Sequence, residues 1–264
     1  MTGPVEKPLR GGVSRGARVG INRAFTLVDV LVTLAVVAVL IGIMMPGLGR
    51  VRELSRQVVC RSNLRQVGLG LALYADASRD QLPYSVYIDP RQQRENQISY
   101  APDRMMTLRL GQGTARVTGQ RWDGLGLLYE AEVLPSQQIF YCPSHHGRHA
   151  FDDYSKRWLE PRGDEIVGNY HYRGKGPNGT TRLSFIEPSR AAIASDGMRE
   201  INDYNHLVGL NVLRADLSLF WLDDSMGAIA AYLQGANQNW AGGTSFDTLW
   251  QQLDAPDDEI LPRK

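Results

Sequence analysis

The chain has 264 residues, of which 43% are hydrophobic and 22% charged, and its formal net charge at pH 7 is +1. That length holds a membrane helix plus one medium-sized globular domain, and the hydrophobic content is ordinary for a folded protein. The small net charge hides an asymmetry: Lys7, Arg10, Arg15, Arg18 and Arg23 against Glu6 give residues 1–24 a local +4 and leave −3 on the rest. With no basic stripe after residue 24, nucleic-acid binding is excluded as the main task.

Residues 1–24 read as a basic leader. Their Gly, Arg and Pro content argues against structure, and a basic segment ahead of an apolar one stays cytoplasmic. Residues 25–49 read as the transmembrane half of a long helix. Val30–Gly49 runs for twenty residues without a charge, about 30 Å as a helix, the thickness of a bilayer's hydrocarbon core. Asp29 lies just inside the apolar stretch, where an acid is costly unless it has a task. Pro46, with Gly47 and Gly49, is expected to kink or locally melt the helix. Residues 50–78 read as its amphipathic continuation. Cys60, Leu64, Val67, Leu71 and Tyr74 recur at spacings of 4, 3, 4 and 3, which is one helical face. Residues 25 to 76 would then make a helix of roughly 78 Å, and its outer stripe needs a partner.

Residues 79–264 read as an extracytoplasmic α+β domain. Asp80-Gln81-Leu82-Pro83 ends the helix, and residues 84–120 look irregular, with a short helix expected near Met105–Leu110. Trp122–Tyr129 reads as a turn and short helix, and Ile139–Pro143 as a short strand stopped by its proline. Gly168–Tyr172 and Ala191–Asp196 read as strands and Leu210–Leu222 as a hairpin. Thr244-Ser245-Phe246-Asp247 has the form of a capping box and opens an amphipathic helix to Leu253. The charged tail from Asp254 is expected to fray.

Arg23-Ala24-Phe25-Thr26-Leu27-Val28-Asp29, with the apolar run to Pro46 behind it, resembles the N-terminus of type IV pilins and type II secretion pseudopilins. The resemblance implies cleavage by a prepilin peptidase between Ala24 and Phe25 and N-methylation of Phe25. It also implies that Asp29 neutralises a neighbouring subunit's N-terminal amine and that Pro46 is the kinking proline. Ala24 stands where the family prefers Gly, and Asp29 where it prefers Glu. Cys60–Gln66, Leu82-Pro83 and Phe140-Tyr141-Cys142-Pro143 are similar to a pilin-like group abundant in planctomycete-type bacteria. So is His206 nine residues ahead of Asp216, with Asn211-Val212-Leu213 between them. That group has Asp-Gly at the end of this motif, and here Leu217 replaces the glycine.

What the resemblance implies is a pilin-like α+β fold, with a long N-terminal helix packed by its outer half on a C-terminal antiparallel sheet. It implies a single-pass inner-membrane protein with an extracytoplasmic domain, and partners that are the prepilin peptidase, other pilin or pseudopilin subunits and the inner membrane. The task would be structural, in a pilus or secretion filament, and not enzymatic. The rival is an ordinary signal-anchor helix on an envelope protein that binds a glycan or metal without polymerising.

Several residues invite chemistry. Cys60 and Cys142 form either a disulfide, which persists outside the cytoplasm, or two buried thiols. His206, Asn211 and Asp216 read first as structural and second as a His–Asp dyad. Ten extended residues span about 33 Å, so the dyad needs a chain reversal at Leu207–Gly209. A tethered hydrolase would require a His206/Asp216/Asp196 cluster in a cleft. With Leu217 beyond Asp216, a type I turn or longer loop is expected there and not a tight type I′ turn. Cys142, His145, His146 and His149 have zinc-ligand chemistry but no second element to complete a site, and read as a surface loop. Calcium is the remaining cofactor to consider. Asp196, Asp203, Asp216, Asp223 and Asp224 are oxygen ligands without EF-hand spacing, and otherwise form a solvated acidic rim. Residues 25–264 have no Gly-x-Ser-x-Gly elbow, phosphate loop or His-Glu-x-x-His.

Overall fold

The computed structural model describes residues 26–160, 163–236 and 244–254. The leader and the Ala24/Phe25 junction lie outside the described residues. The chain divides into two units, with the boundary between Gly49 and Arg50.

The first unit carries the start of helix α1 (Leu27–Ala77). Thr26 and Asp29 cap it reciprocally: the Asp29 N–H donates to Thr26 Oγ1 at 3.2 Å, and the Thr26 N–H donates to the Asp29 carboxylate at 3.0 Å. Leu27–Met45 has a mean hydropathy of 2.8 and none of it is buried, the length and composition of a membrane anchor or a signal sequence. Melting at Pro46 is not found, because α1 is one helical element through Ala77. A proline removes only one amide donor, and its apolar neighbours offer an unwound backbone nothing else to bond.

In the second unit α1 ends where Arg79 and Asp80 turn left-handed, at φ 56° and 67°. The short helices α2 (Pro90–Glu95), α3 (Gln112–Thr118), α4 (Gly126–Glu130) and α5 (Phe151–Tyr154) follow. Strands β1 (Thr107–Arg109) and β2 (Ile166–Val167) pair antiparallel. The main sheet is an antiparallel meander of β3 (Tyr170–Tyr172), β4 (Ala192–Asp196), β5 (Gly209–Arg214) and β6 (Leu219–Asp223) in that order. Helices α6 (Ala228–Ala236) and α7 (Thr244–Leu253) complete an α+β architecture.

Two apolar clusters form the core. One gathers Cys60, Leu64, Val67 and Leu71 of α1 with Leu108, Leu128, Phe140, Trp158, Tyr170 and Leu213. Burying each of the large aliphatic side chains stabilises the fold by roughly 1.5–3 kcal/mol. The other cluster packs Leu210, Val212 and Leu222 of β5 and β6 against Ile229, Leu233, Phe246, Leu249 and Trp250. Leu213 belongs to the first cluster and Val212 to the second, as the two-residue side-chain period of a strand requires. His171 of β3 stacks on Phe246 at 4.3 Å, which helps seat α7.

Three local expectations are corrected, and a fourth, the type I turn beyond Asp216, is met. No helix forms at Met105–Leu110: a 3₁₀ turn at Pro102–Arg104 leads into β1, and Met105, Met106, Leu108 and Leu110 are all buried. A short, wholly buried run carries no readable period. Ile139–Pro143 is not a strand. Gln137–Phe140 is a 3₁₀ turn, and the Cys142 N–H donates to the side-chain carbonyl of Asn169 and not to a ladder. The tail is tied down at its first residue, where the Asp254 carboxylate accepts from the buried Arg173 at 2.7 Å and from the Ala192 N–H at 2.9 Å, and residues 255–264 lie outside the described residues. The β5–β6 turn is a type I turn followed by a left-handed residue, Leu217, at φ 67°. It is closed by Arg214 N–H to Ser218 O and Leu217 N–H to Arg214 O. Leucine in that conformation costs about 1 kcal/mol, which glycine avoids.

Candidate functional site

Four polar side chains from distant parts of the chain meet inside the second unit. Cys60 comes from the core face of α1. Cys142 follows the 3₁₀ turn that ends at Phe140. Asp196 closes β4, and His206 stands three residues before β5. One ligand atom from each lies within 4.8 Å of every other, and all four residues are buried. The Cys60 thiol donates to Asp196 Oδ1 at 2.8 Å and lies 3.2 Å from the Tyr170 hydroxyl. His206 Nε2 lies 3.6 Å from Cys142 Sγ and 3.6 Å from Asp196 Oδ2.

A second layer fixes these groups. His206 Nδ1 is 2.8 Å from Glu53 Oε1. An ionised carboxylate only accepts, so Nδ1 is the donor and Nε2 faces the cluster. The Ser144 hydroxyl donates to both Glu53 oxygens, at 2.9 and 3.0 Å. Asn211 donates to Asp196 Oδ2 through its backbone N–H at 2.6 Å and its side-chain amide at 2.9 Å. The β4–β5 register, which pairs Ser195 with Val212, sets Asp196 beside Asn211.

The electrostatics are those of groups forced together out of water. Burial pushes the Cys60 thiol well above its ordinary value, helped by hydrogen bonding to Cys142 and the charge of Asp196. Burial also raises Asp196, against the charge of His206 and the Asn211 donors. Burial alone would raise Cys142, but hydrogen bonding with Cys60 and His206 outweighs it and holds the thiol below its ordinary value. Burial alone would lower His206; the bond to Cys142 and the charge of Asp196 hold it at about 9.

The structure assembles some of the marked residues and separates others. Cys60 and Cys142 are buried free thiols with no disulfide between them. His206 does not meet Asp216. Asp216 is exposed at the tip of the β5–β6 turn, where it accepts from the Ser218 N–H, a full strand away from the cluster. Asp196 takes the place of the expected partner. The acidic residues considered for calcium do not converge either: Asp224 caps α6, Asp223 bonds Ser225, and Asp203 pairs with Arg199. His145 and His149 turn to Asn205 and Tyr154. Glu53 was missed from the sequence, although it lies seven residues before Cys60 and so two turns along the same helical face. A cleft of about 590 Å³, bounded by Val59, Asn63, Tyr141, His145 and Phe151, runs up to Cys142. At 4% exposure, Cys142 presents almost no surface to it.

Comparison with protein-family models, curated proteins and solved structures returns no match to this chain.

A second buried carboxylate lies outside the cluster and has a separate consequence. Asp123 accepts from Ser85 Oγ at 2.6 Å and the Val86 N–H at 2.8 Å, yet burial raises its pKa from 3.8 to about 7. The folded state therefore binds more protons than the unfolded state between pH 4 and 7. The contribution of Asp123 to stability falls as pH rises through that window. Asp123→Asn keeps an acceptor for Val86 and gains a donor for Ser85. Its stability relative to the parent is expected to rise by about 4 kcal/mol from pH 4 to pH 8, three units at about 1.36 kcal/mol each. Urea titrations of both proteins across that range check this, and a difference independent of pH would contradict it.

Proposed function

We propose that this chain is a membrane-anchored protein with an extracytoplasmic α+β head. More narrowly, we propose that it is a structural subunit of a pilus-like or type II secretion-like filament, matured by a prepilin-type peptidase. The observation that carries the filament reading is a second apolar stripe on α1. Val51, Leu54, Val58, Leu69 and Leu73 are all more than half exposed. At 3.6 residues per turn they share one side of the helix, roughly opposite the buried Cys60, Leu64, Val67 and Leu71. Arg61 and Arg65 interrupt the stripe, and the Arg61 guanidinium bonds the Leu219 carbonyl. A solitary tethered protein leaves these side chains in water. A bundle of packed subunit helices covers them, with a gain of roughly 1.5–3 kcal/mol for each one fully buried.

Asp29 supports the same reading. An acid within an apolar span needs a partner, and the N-terminal amine of a neighbouring subunit's Phe25 supplies one. The Cys60/Cys142/Asp196/His206 cluster is buried, with almost no surface of Cys142 presented to the neighbouring cleft, which supports a structural role for it. The proposal is tested by mass spectrometry of the N-terminus of membrane-purified protein. A chain beginning at N-methylated Phe25 is expected. An intact Met1, or a start beyond Val39, would contradict processing of the pilin type.

A further inference from the structure

We propose that Cys60, Cys142, Asp196 and His206 form a closed tetrahedral zinc site that staples helix α1 to the sheet. The proposal does not depend on the filament reading. Two thiolates, an imidazole and a carboxylate are zinc's own ligand set, and four protein ligands with no open position make a structural site and not a catalytic one. The spacing fits as well. Bonds of about 2.0–2.3 Å at tetrahedral angles set neighbouring ligand atoms roughly 3.5 Å apart. His206 Nε2 lies 3.6 Å from both Cys142 Sγ and Asp196 Oδ2, while Cys60 Sγ, hydrogen-bonded to Asp196 Oδ1 at 2.8 Å, has to draw back to make room for the ion.

The surrounding layer is what a metal-binding histidine and carboxylate need. Glu53 takes the Nδ1 proton of His206, so the Nε2 lone pair is directed inward, and Ser144 holds Glu53 in place. Asn211 orients Asp196 with two donors. Such outer partners fix the ligand's tautomer and raise its basicity. Binding requires Cys60, Cys142 and the Nε2 of His206 to give up their protons to solvent, and the dication offsets two of the three anionic charges that the thiolates and Asp196 then carry. The four ligands come from α1, the segment after the 3₁₀ turn, the end of β4 and the approach to β5. The ion would therefore tie the helix to three segments far from it in sequence.

The test uses the full-length protein, purified in detergent without chelators. One zinc per chain is expected by elemental analysis. Both thiols should resist alkylation until a chelator strips the metal. Replacement by Co²⁺ should give thiolate-to-metal charge-transfer absorption and the intense visible bands of a tetrahedral site. Loss of a buried ligand can unfold the head, so the deciding variant is Glu53→Gln, at a partly exposed position that touches the site only through His206. It keeps an acceptor but loses the charge. Zinc affinity is expected to fall about 10–100-fold with the circular dichroism unchanged. A native chain two hydrogens lighter, with Cys60 and Cys142 in one disulfide-linked peptide pair, would overturn the proposal. So would reduced protein that takes up no zinc on titration. Unchanged affinity in Glu53→Gln would overturn the assignment of His206 as a ligand.

Discussion

Gly126→Ala is expected to destabilise the head by about 3–5 kcal/mol, enough to unfold a domain of ordinary stability. Gly126 opens α4, and its N–H donates to the Asp123 carbonyl. A methyl group there would lie 1.8 Å from the Leu108 carbonyl oxygen and 2.6 Å from its carbon. These are backbone atoms of β1, and the Leu108 carbonyl already accepts from the Asp123 N–H. No side chain can rotate away to relieve the overlap, so α4 must separate from the strand or the Asp123 turn must break. Gly113→Ala is the control. A methyl group at that exposed position in α3 meets nothing within 4 Å. There the change is expected to be neutral or to gain up to about 1 kcal/mol from helix propensity. Urea denaturation of the two variants should therefore shift in opposite directions or differ by several kcal/mol. Equal midpoints would show that the helix approaches β1 less closely than described.

The parts of this fold legible in the sequence are those with a period or a sharp stop. The stripe Cys60, Leu64, Val67, Leu71 and Tyr74 reads as a helix face, and its first four members are fully buried while Tyr74 is half-buried. Ala192–Asp196 and the β5–β6 hairpin were visible as apolar runs bounded by turn residues. The segments between them were not. Arg109 lies in the stretch expected to form a short helix, yet it sits in β1, is 1% exposed and donates to the carbonyls of Arg157, Glu160 and Asp164. That role depends on which backbone carbonyls happen to be unpaired nearby, and no local pattern encodes it. The site was half legible for a similar reason. Cys60, Cys142 and His206 stand out by residue type. The acid beside them is chosen by the β4–β5 register, which brings Asp196 to Asn211 and leaves Asp216 at the far end of the strand. Reading a partner from spacing along the chain selects Asp216, because register is a property of two strands and not of one.

The last expected result concerns Asp29, which has two tasks that substitution can separate. Its carboxylate accepts from the Thr26 N–H and so caps α1, and in a filament its charge would face the amine of a neighbouring subunit's Phe25. Thr26→Ala removes the reciprocal bond to the Asp29 N–H, at a cost of about 1 kcal/mol in helix-end stability, and leaves the charge. Asp29→Asn keeps an acceptor for the cap and removes the charge. If capping is the main task, Thr26→Ala should be the more damaging change. If amine pairing is the task, Asp29→Asn should reduce co-assembly with partner subunits by at least about tenfold, a loss of about 1.4 kcal/mol in the apolar bundle, while Thr26→Ala assembles normally. Membrane insertion should survive both changes, because the apolar span Leu27–Met45 is long enough without either side chain. Quantifying each variant in sheared filament and membrane fractions reads both outcomes at once. Normal assembly of Asp29→Asn would remove the need for a charged acid in the span. The reading left would be a tethered envelope protein whose exposed Val58 and Leu73 face some other partner.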